Sequence, residues 1–461
     1  MSQSRRLAAL TVGLAGVTLL VSIAIAQNTN YMSAVEKSVS SYGRAGEFAG
    51  VTLNIACRRL PAMDFIQKNA ALFEKFTGAK VNFTNFPENE LRSKIVADAS
   101  AKAGGFSLYC LDGNYVPLFA NNSWIKPINN VIVPAYKLND IEKSLQGLYS
   151  WKSRLYGLPI YAEQTILYYR KDLLEAAKLK VPDTIDEFEA AAKTLTNAPT
   201  VYGASLRGLR GEGMNVYTWS GWLRSFGGTF LDAKMNPNFN SPEGIEATKR
   251  YADLIKNSAP PGAGAWGWPE VSSAFSAGRV AMIVESTAFY PSFNDAKQSS
   301  VVGKVGYAVV PAGPKGRFPA NYSIGIAIPA TVKDAKVSKA AASFLQWATS
   351  QEMEFARTDE GIGNQSRISV SNSDLLKSKL DPAYIKAVIE SAKITKSEYR
   401  PLIPQWREMG DILGEEIGKV FVGGATPAEA LKTAQQRVTE NFKASGVLGT
   451  PRPVKEAFPG K

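Results

Sequence analysis

The chain has 461 residues, 45% hydrophobic and 20% charged, an ordinary globular composition with room for two domains that excludes a fibrous, collagen-like or wholly disordered protein. Histidine is absent, which removes His-based triads, imidazole general bases and His-ligated zinc, and two cysteines are too few for a disulfide-framework domain. Lysine plus arginine exceed aspartate plus glutamate by 53 to 41, yet the lysines are spread out, as from Thr331 to Lys339, with no run of five or six, so no nucleic-acid stripe is expected.

At the N-terminus, Arg5 and Arg6 precede an uncharged run, Leu7 to Ala26, that ends in Ala24-Ile25-Ala26. A charged start, an apolar middle and a small-x-small end read as a secretory signal, residues 1–26, cut before Gln27. The competing reading is an uncleaved anchor, since the run is nearly long enough to span a bilayer. Residues 27–50, rich in Ser, Asn and Gly, read as a mobile lead-in, with folded structure from Val51. Val51 to Cys57 is a strand, followed by Arg58-Arg59-Leu60-Pro61 and a helix through Phe76 that Gly78 stops. Lys80 to Phe86 alternates as a second strand and Glu90 to Ala101 is a second helix.

Gly104 and Gly105 then break the pattern, Phe106 to Leu111 suits a buried parallel strand, and Asp112-Gly113-Asn114 turns the chain into a helix carrying Tyr115, Leu118 and Phe119. This β-α-β-α-β order implies a parallel sheet with right-handed crossovers. The turn after the third strand lies at a carboxyl end, where open α/β sheets place ligands. Asp112, Asn114 and Tyr115 offer a carboxylate, an amide and an aromatic face, suited to a polyhydroxylated ligand; the alternative has Asp112 only capping the helix. Cys57 and Cys110 lie near the ends of strands that such a sheet can place side by side. They either pair, in an oxidising compartment, or remain two buried thiols.

Farther on, Ser150 to Leu158 reads as a hairpin-like turn leading into Pro159-Ile160-Tyr161 and the strand Ile166 to Tyr169, and Thr184 with Glu187 forms a capping box. Tyr217 to Phe226 is a Trp-rich helix ended by Gly227-Gly228. Residues 260–269 are loop, carrying Trp266 and Trp268, and Val280 to Val284 is a buried strand ending at Glu285. Helices follow at Thr331 to Ala348, Ile412 to Phe421 and Pro427 to Phe442.

The order and spacing of several segments resemble the extracellular solute-binding proteins that serve ABC importers of sugars and sugar alcohols. They are FEKFTG, ENELRSKI, FSLYCLDGNYVPLFANNSWIKPI, YGLPIYAEQTILYYRKDLLEAA, YGASLRG, FGGTFLD, NSPEGIEATKRYADLI, AFSAGRVAMIVEST, VPAGPKG and GGATPAEALKTAQQRV, spanning about residues 51 to 445. YAEQT, LRG and AGPKG are most similar to the branch that binds mannitol-like polyols. LRGEGMN departs from that branch at Glu212 and Met214, where it usually carries a tryptophan and a glutamate. The resemblance implies a two-lobed α/β periplasmic-binding-protein fold, each lobe a mostly parallel sheet flanked by helices. One lobe would span 51–160 plus 318–370 and the other 161–317 plus 371–445, with a hinge between them and a tail at 446–461. It also implies a periplasmic, monomeric receptor that captures a sugar or sugar alcohol, a mannitol- or sorbitol-like polyol or a small oligosaccharide, in an interlobe cleft by hinge closure and delivers it to membrane permease subunits. The resemblance implies a receptor without enzymatic activity, and no cofactor or metal is expected, since neither a phosphate-binding glycine loop nor a spaced ligand cluster occurs.

Such a ligand wants aromatic platforms for its apolar face and planar donors and acceptors for its hydroxyls. An unpaired buried polar group costs about 1 to 3 kcal/mol, which makes the site selective. The candidates are Arg58 and Arg59 after the first strand, Asp112 and Tyr115 after the third, Glu163 after the crossover, and Trp219, Trp222 and Trp268. Glu285 stands at a strand end. Tyr322, Arg367 and Arg400 lie in ANYSIG, GIGNQSRISV and EYRPLIPQW. Trp219 and Trp222, three apart on one helix face, suit core packing as well. Arg367 could instead cap a helix end. Two rival readings stand: a secreted carbohydrate-active enzyme using paired carboxylates, of which Glu163 and Glu285 are the candidates, or the same fold holding an anionic, phosphorylated polyol, motivated by Arg58 and Arg59.

Overall fold

The structure, a computed structural model, describes residues 30–453, so the expected signal at 1–26 lies outside the described residues. The first strands form as the apolar runs dictate. β1 (Thr52–Cys57), β2 (Lys80–Asn85) and β3 (Leu108–Asp112) pair parallel in the order β2-β1-β3, and every residue of β3 is buried. The helix Pro61–Thr77 returns the chain from β1, burying Phe65, Ile66, Ala70 and Phe73. It ends at Gly78, whose left-handed backbone (φ 77°) suits a residue without Cβ. The helix Glu88–Ala101 makes the second crossover.

A small hairpin, β4 (Ser150–Trp151) with β5 (Arg154–Leu155), leads into β6 (Gly157–Arg170), the 14-residue strand on which the molecule turns. Beyond it lie β7 (Tyr202–Ser205), β8 (Val280–Ser286), β9 (Val305–Ala308) and β10 (Asn321–Ala327). The first part of β6 pairs antiparallel with β10, placing Tyr322 opposite Glu163, and β10 pairs antiparallel with β3. The second part of β6 pairs antiparallel with β8 and β9, and β7 runs parallel to β8. The sheet order is β2-β1-β3-β10-β6-β8-β7. The expected mostly parallel sheet in each lobe is instead a mixed one: only the β2-β1-β3 and β7-β8 pairings are parallel, while those of β10 with β3 and β6 and of β6 with β8 and β9 are antiparallel, because β6 and β10 carry the chain from one half to the other and back.

Among the described residues, buried side chains gather in three clusters. The first joins residues 35–162 to 318–356, including Ile55, Phe73, Leu111, Ile324 and Phe344. The second packs around Trp219, Trp222, Met282, Trp406 and Leu413, and the third around Tyr168, Phe275, Phe293 and Tyr384. The expected lead-in is a finding against the sequence reading: from Tyr31 it is folded. Tyr31–Ser38 is a helix, Val35, Val39 and Phe48 are fully buried, Tyr31 stacks on Phe355 at 5.8 Å, and Trp347 Nε1 donates to Val35 O at 3.2 Å. Val35 and Val39, four apart on one face, were the helical signal amid the serines. The cysteines are joined: Cys57 and Cys110, with Cα atoms 4.9 Å apart, link β1 to β3. No helix among the described residues is long and apolar enough to cross a membrane.

Candidate ligand-binding cleft

The carboxyl ends of β1 and β3 and the crossing strands β6 and β10 converge on one cleft. Arg58 follows β1, and Asp112 ends β3. Glu88 and Arg92 stand one turn apart in the helix Glu88–Ala101, between β2 and β3. Alternation along β6 puts Tyr161 and Glu163 on the cleft face, while Ala162 and Gln164 face the other side. Arg207 and Gly213 come from the segment after β7, Tyr217 from the first turn of the helix Asn215–Phe226, and Arg400 from the connection before the helix Trp406–Phe421. Trp268 and Phe289, stacked at 5.4 Å, close one side. The cavity so enclosed is tight, about 30 Å³, with room for about two waters.

The polar groups are held in chains of charge-assisted hydrogen bonds. Arg58 Nη2 donates to the Tyr322 hydroxyl at 2.8 Å, that hydroxyl donates to Asp112, and Arg58 pairs with Glu88. Arg92 Nε donates to Asp112 Oδ2 at 2.6 Å, and its other nitrogens lie 2.7 Å from Glu88 and 3.3 Å from Glu212. Across the cleft, Arg207 grips Glu285 with two bonds of 2.6 and 2.5 Å. Arg400 Nη1 donates to Glu212 Oε2 at 2.7 Å. Guanidinium groups also cover the aromatic faces: Arg207 lies 4.6 Å and Arg400 5.3 Å from the Tyr217 ring centre.

Thus each of the four cleft arginines is already matched to a carboxylate. Glu163 differs: among the described residues no cation lies within ion-pair distance of it, and Tyr217 donates to its Oε1 at 3.3 Å. Burial pushes its pKa up to about 7, against the hydrogen bond from Ser286 and the charges of Arg207 and Arg58. Glu88 is just as enclosed, yet although burial again raises it, Arg58 and Arg92 outweigh that and hold it at about 2. Two buried polar atoms, Arg58 Nε and the Tyr161 hydroxyl, have no well-aligned hydrogen-bond partner among the described residues, the tyrosine and arginine interacting only weakly with each other. Such orphans beside a cavity are what a ligand's hydroxyls would satisfy.

Of the candidates read from the sequence, Arg58, Glu163, Trp268, Tyr322 and Arg400 line the cavity. Asp112 and Glu285 stand one layer behind, anchoring Arg92 with Tyr322 and Arg207 respectively, and Tyr115 lies under Arg92 at 5.7 Å. Four others are not brought there. Arg59 points outward, its side chain 70% exposed and paired with Asp64, because consecutive residues leaving a strand face opposite ways. Trp219 and Trp222 are core residues: Trp219 Nε1 donates to Thr248, and Trp222 packs on Phe188 and Tyr251. Arg367 is buried inside the first cluster's half, where it lies 4.5 Å over Tyr136 and donates to Thr349 O at 2.9 Å. Glu88, Arg92, Tyr161, Arg207 and Tyr217 were missed, and Glu212 stood out only as a departure from the family pattern. The i,i+4 spacing of Glu88 and Arg92, and the position of Arg207 just past a strand, were the available signals.

Comparison with known proteins agrees with this architecture. The model of the bacterial extracellular solute-binding protein family matches residues 60–354. A mannitol-binding protein of Pseudomonas aeruginosa is 28% identical over 419 residues, covering 86% of this chain and 94% of the relative. An ABC transporter solute-binding protein of Agrobacterium radiobacter K84, solved in complex with ribitol, superposes with a TM-score of 0.81 at 30% identity, covering 86% of this chain and 100% of the other. One from Agrobacterium vitis S4 with bound D-mannitol superposes at 0.78 with 28% identity, covering 86% and 99%. The chain belongs to the bacterial extracellular solute-binding proteins and has their two-lobed periplasmic-binding-protein fold.

Proposed function

We propose that this protein is the ligand-capturing receptor of an ABC importer and that its ligand is a neutral, hydroxyl-rich molecule, a sugar alcohol or a single sugar. The carrying observation is the charge balance of the cleft: four guanidinium groups, each paired with a carboxylate, surround aromatic faces, and the remaining carboxylate, Glu163, titrates near 7. Paired guanidiniums and carboxylates still offer free donors and acceptors to hydroxyls, while no unmatched positive charge awaits a phosphate. A phosphorylated ligand is therefore disfavoured. The relatives solved with ribitol and D-mannitol support the same class. The enzymatic rival needs a second free carboxylate beside Glu163, and Glu285 is gripped on both oxygens by Arg207.

The cavity is too small for a hexitol unless its walls part, so the ligand would be admitted to an open form and trapped as β6 and β10 flex. Candidate contacts are Arg58, Tyr161, Glu163, Tyr217, Trp268 and Tyr322, with Arg400 at the margin. A monomer acting in the periplasm after loss of the N-terminal signal, and passing its ligand to permease subunits, completes the reading. Isothermal titration against ribitol, mannitol, sorbitol and common monosaccharides tests it. Binding heat with at least one is expected, and no heat or thermal shift with any would refute the proposal.

A further inference from the structure

One carboxyl in the cleft stands outside the charge balance. The guanidiniums of Arg58, Arg92, Arg207 and Arg400 are cancelled by the carboxylates of Glu88, Asp112, Glu285 and Glu212. An ionised Glu163 would therefore add a net negative charge to a buried site. The residue is 7% exposed and lies on β6 opposite Tyr322 of β10.

The groups that face it come from both sides of the cleft. Arg58 and Glu88 approach from β1 and the helix Glu88–Ala101, Arg207 and Tyr217 from the segment after β7 and the helix Asn215–Phe226. Tyr161 shares its strand, Ser286 ends β8, and Tyr168 and Tyr384 lie farther off. Burial keeps these tyrosine hydroxyls protonated, so none of them carries charge. The two guanidiniums act from beyond ion-pair distance, each with a carboxylate of its own. A carboxyl in these surroundings costs less to bury neutral than charged. Because its neighbours stand on both sides, water leaves Glu163 only when the sides are together.

We propose that Glu163 takes up a proton as the cleft closes and offers it as a hydrogen bond to an oxygen of the ligand, so that capture of one neutral polyol consumes one proton. This rests on the polyol reading above. The proton comes from solvent and returns there on opening, and no bond of the ligand changes. The Tyr217 hydroxyl, donating to Oε1 at 3.3 Å, fixes the carboxyl's orientation. The group titrates near 7 in the closed form against an ordinary 4.5, so affinity falls as pH rises through that interval and levels off above it.

Isothermal titration of the full chain with ribitol and with mannitol, in pairs of buffers that differ in ionisation enthalpy, counts the protons. Uptake of about one proton per ligand is expected at about pH 6 and almost none at about pH 8, with affinity about tenfold tighter at the lower pH. Glu163→Gln, which keeps an N–H donor and an oxygen for Tyr217, should show no uptake and no pH slope, whatever its affinity. A merely structural Glu163 would leave the wild type with no uptake and equal affinity at both pH values. Should the glutamine variant not bind, Ser286→Ala carries the test. It removes a hydrogen bond that favours the ionised form, and the fall in affinity should move to higher pH. No uptake by the wild type, uptake that survives Glu163→Gln, or an unmoved profile in Ser286→Ala overturns the proton reading alone. Binding of neither polyol at either pH overturns the polyol reading as well.

Discussion

The two walls of the cleft hold similar charges by different means. On the first wall the groups stand on regular structure: Arg58 follows β1, Asp112 ends β3, Glu88 and Arg92 share a helix face, and the Cys57–Cys110 link lies directly behind. On the second wall they hang on irregular chain, Arg207 and Glu212 after β7 and Arg400 between two helices. Backbone pairing positions the first set before any side chain bonds. The second set depends on its own partners, so Arg207 takes both oxygens of Glu285 and also Gly213 O at 2.8 Å. The first wall is thus a preformed dock, and the second a lip shaped by its ion pairs.

Four perturbations would sharpen or break that contrast. Arg207→Ala should cost most, because it strands Glu285, which is fully buried. About 3 to 5 kcal/mol is expected by chemical denaturation, and a loss under about 1 kcal/mol would show that the lip stands without this pair. Replacing Cys57 and Cys110 together by serine frees residues 53 apart in sequence. The chain-entropy argument gives up to about 4 kcal/mol, with weaker binding of the sugar or sugar alcohol as Arg58 and Asp112 lose their shared anchor. Unchanged affinity would show that strand pairing alone sets the dock.

The pH dependence separates two carboxylates with opposite signs. Glu163 titrates near 7 in the folded protein, above its ordinary 4.5. The folded state keeps a proton that the unfolded chain releases, so its contribution is complete below about pH 4.5 and is lost as pH rises through about 7, about 3 kcal/mol in all. Glu88, held near 2, contributes above 4.5 and loses that contribution as pH falls toward 2. Glu163→Gln should flatten the decline between pH 4.5 and 7 in denaturation curves and leave the acid limb; an unchanged slope would remove Glu163 as its cause. Smallest, Tyr217→Phe deletes one hydrogen bond to Glu163 and should cost about 1 kcal/mol in stability or affinity, and no measurable change would mean that bond is idle.

Much of the first wall was legible because its signals are local. Short apolar runs announced β1 and β3, and a charged residue just past each led to Arg58 and Asp112. The same rule, applied to YGASLRG, would have reached Arg207. It failed at Arg59, where the strand's alternation decides the direction. Arg367, taken from the family resemblance, spends its guanidinium on the buried Thr349 carbonyl and the Tyr136 ring instead. Trp219 and Trp222 went to the core that their shared helix face already favoured.

Local periodicity and turn chemistry, written in the order of residues, were enough to specify an α/β chain, most of its strands, and strand ends bearing charge. Which charges meet was decided only in three dimensions. The bonds from Glu212 to Arg400 and Arg92, and from Tyr322 to Arg58, span about one hundred to nearly three hundred residues, and nothing in short-range pattern encodes a pairing created when β6 and β10 carry the chain across and back.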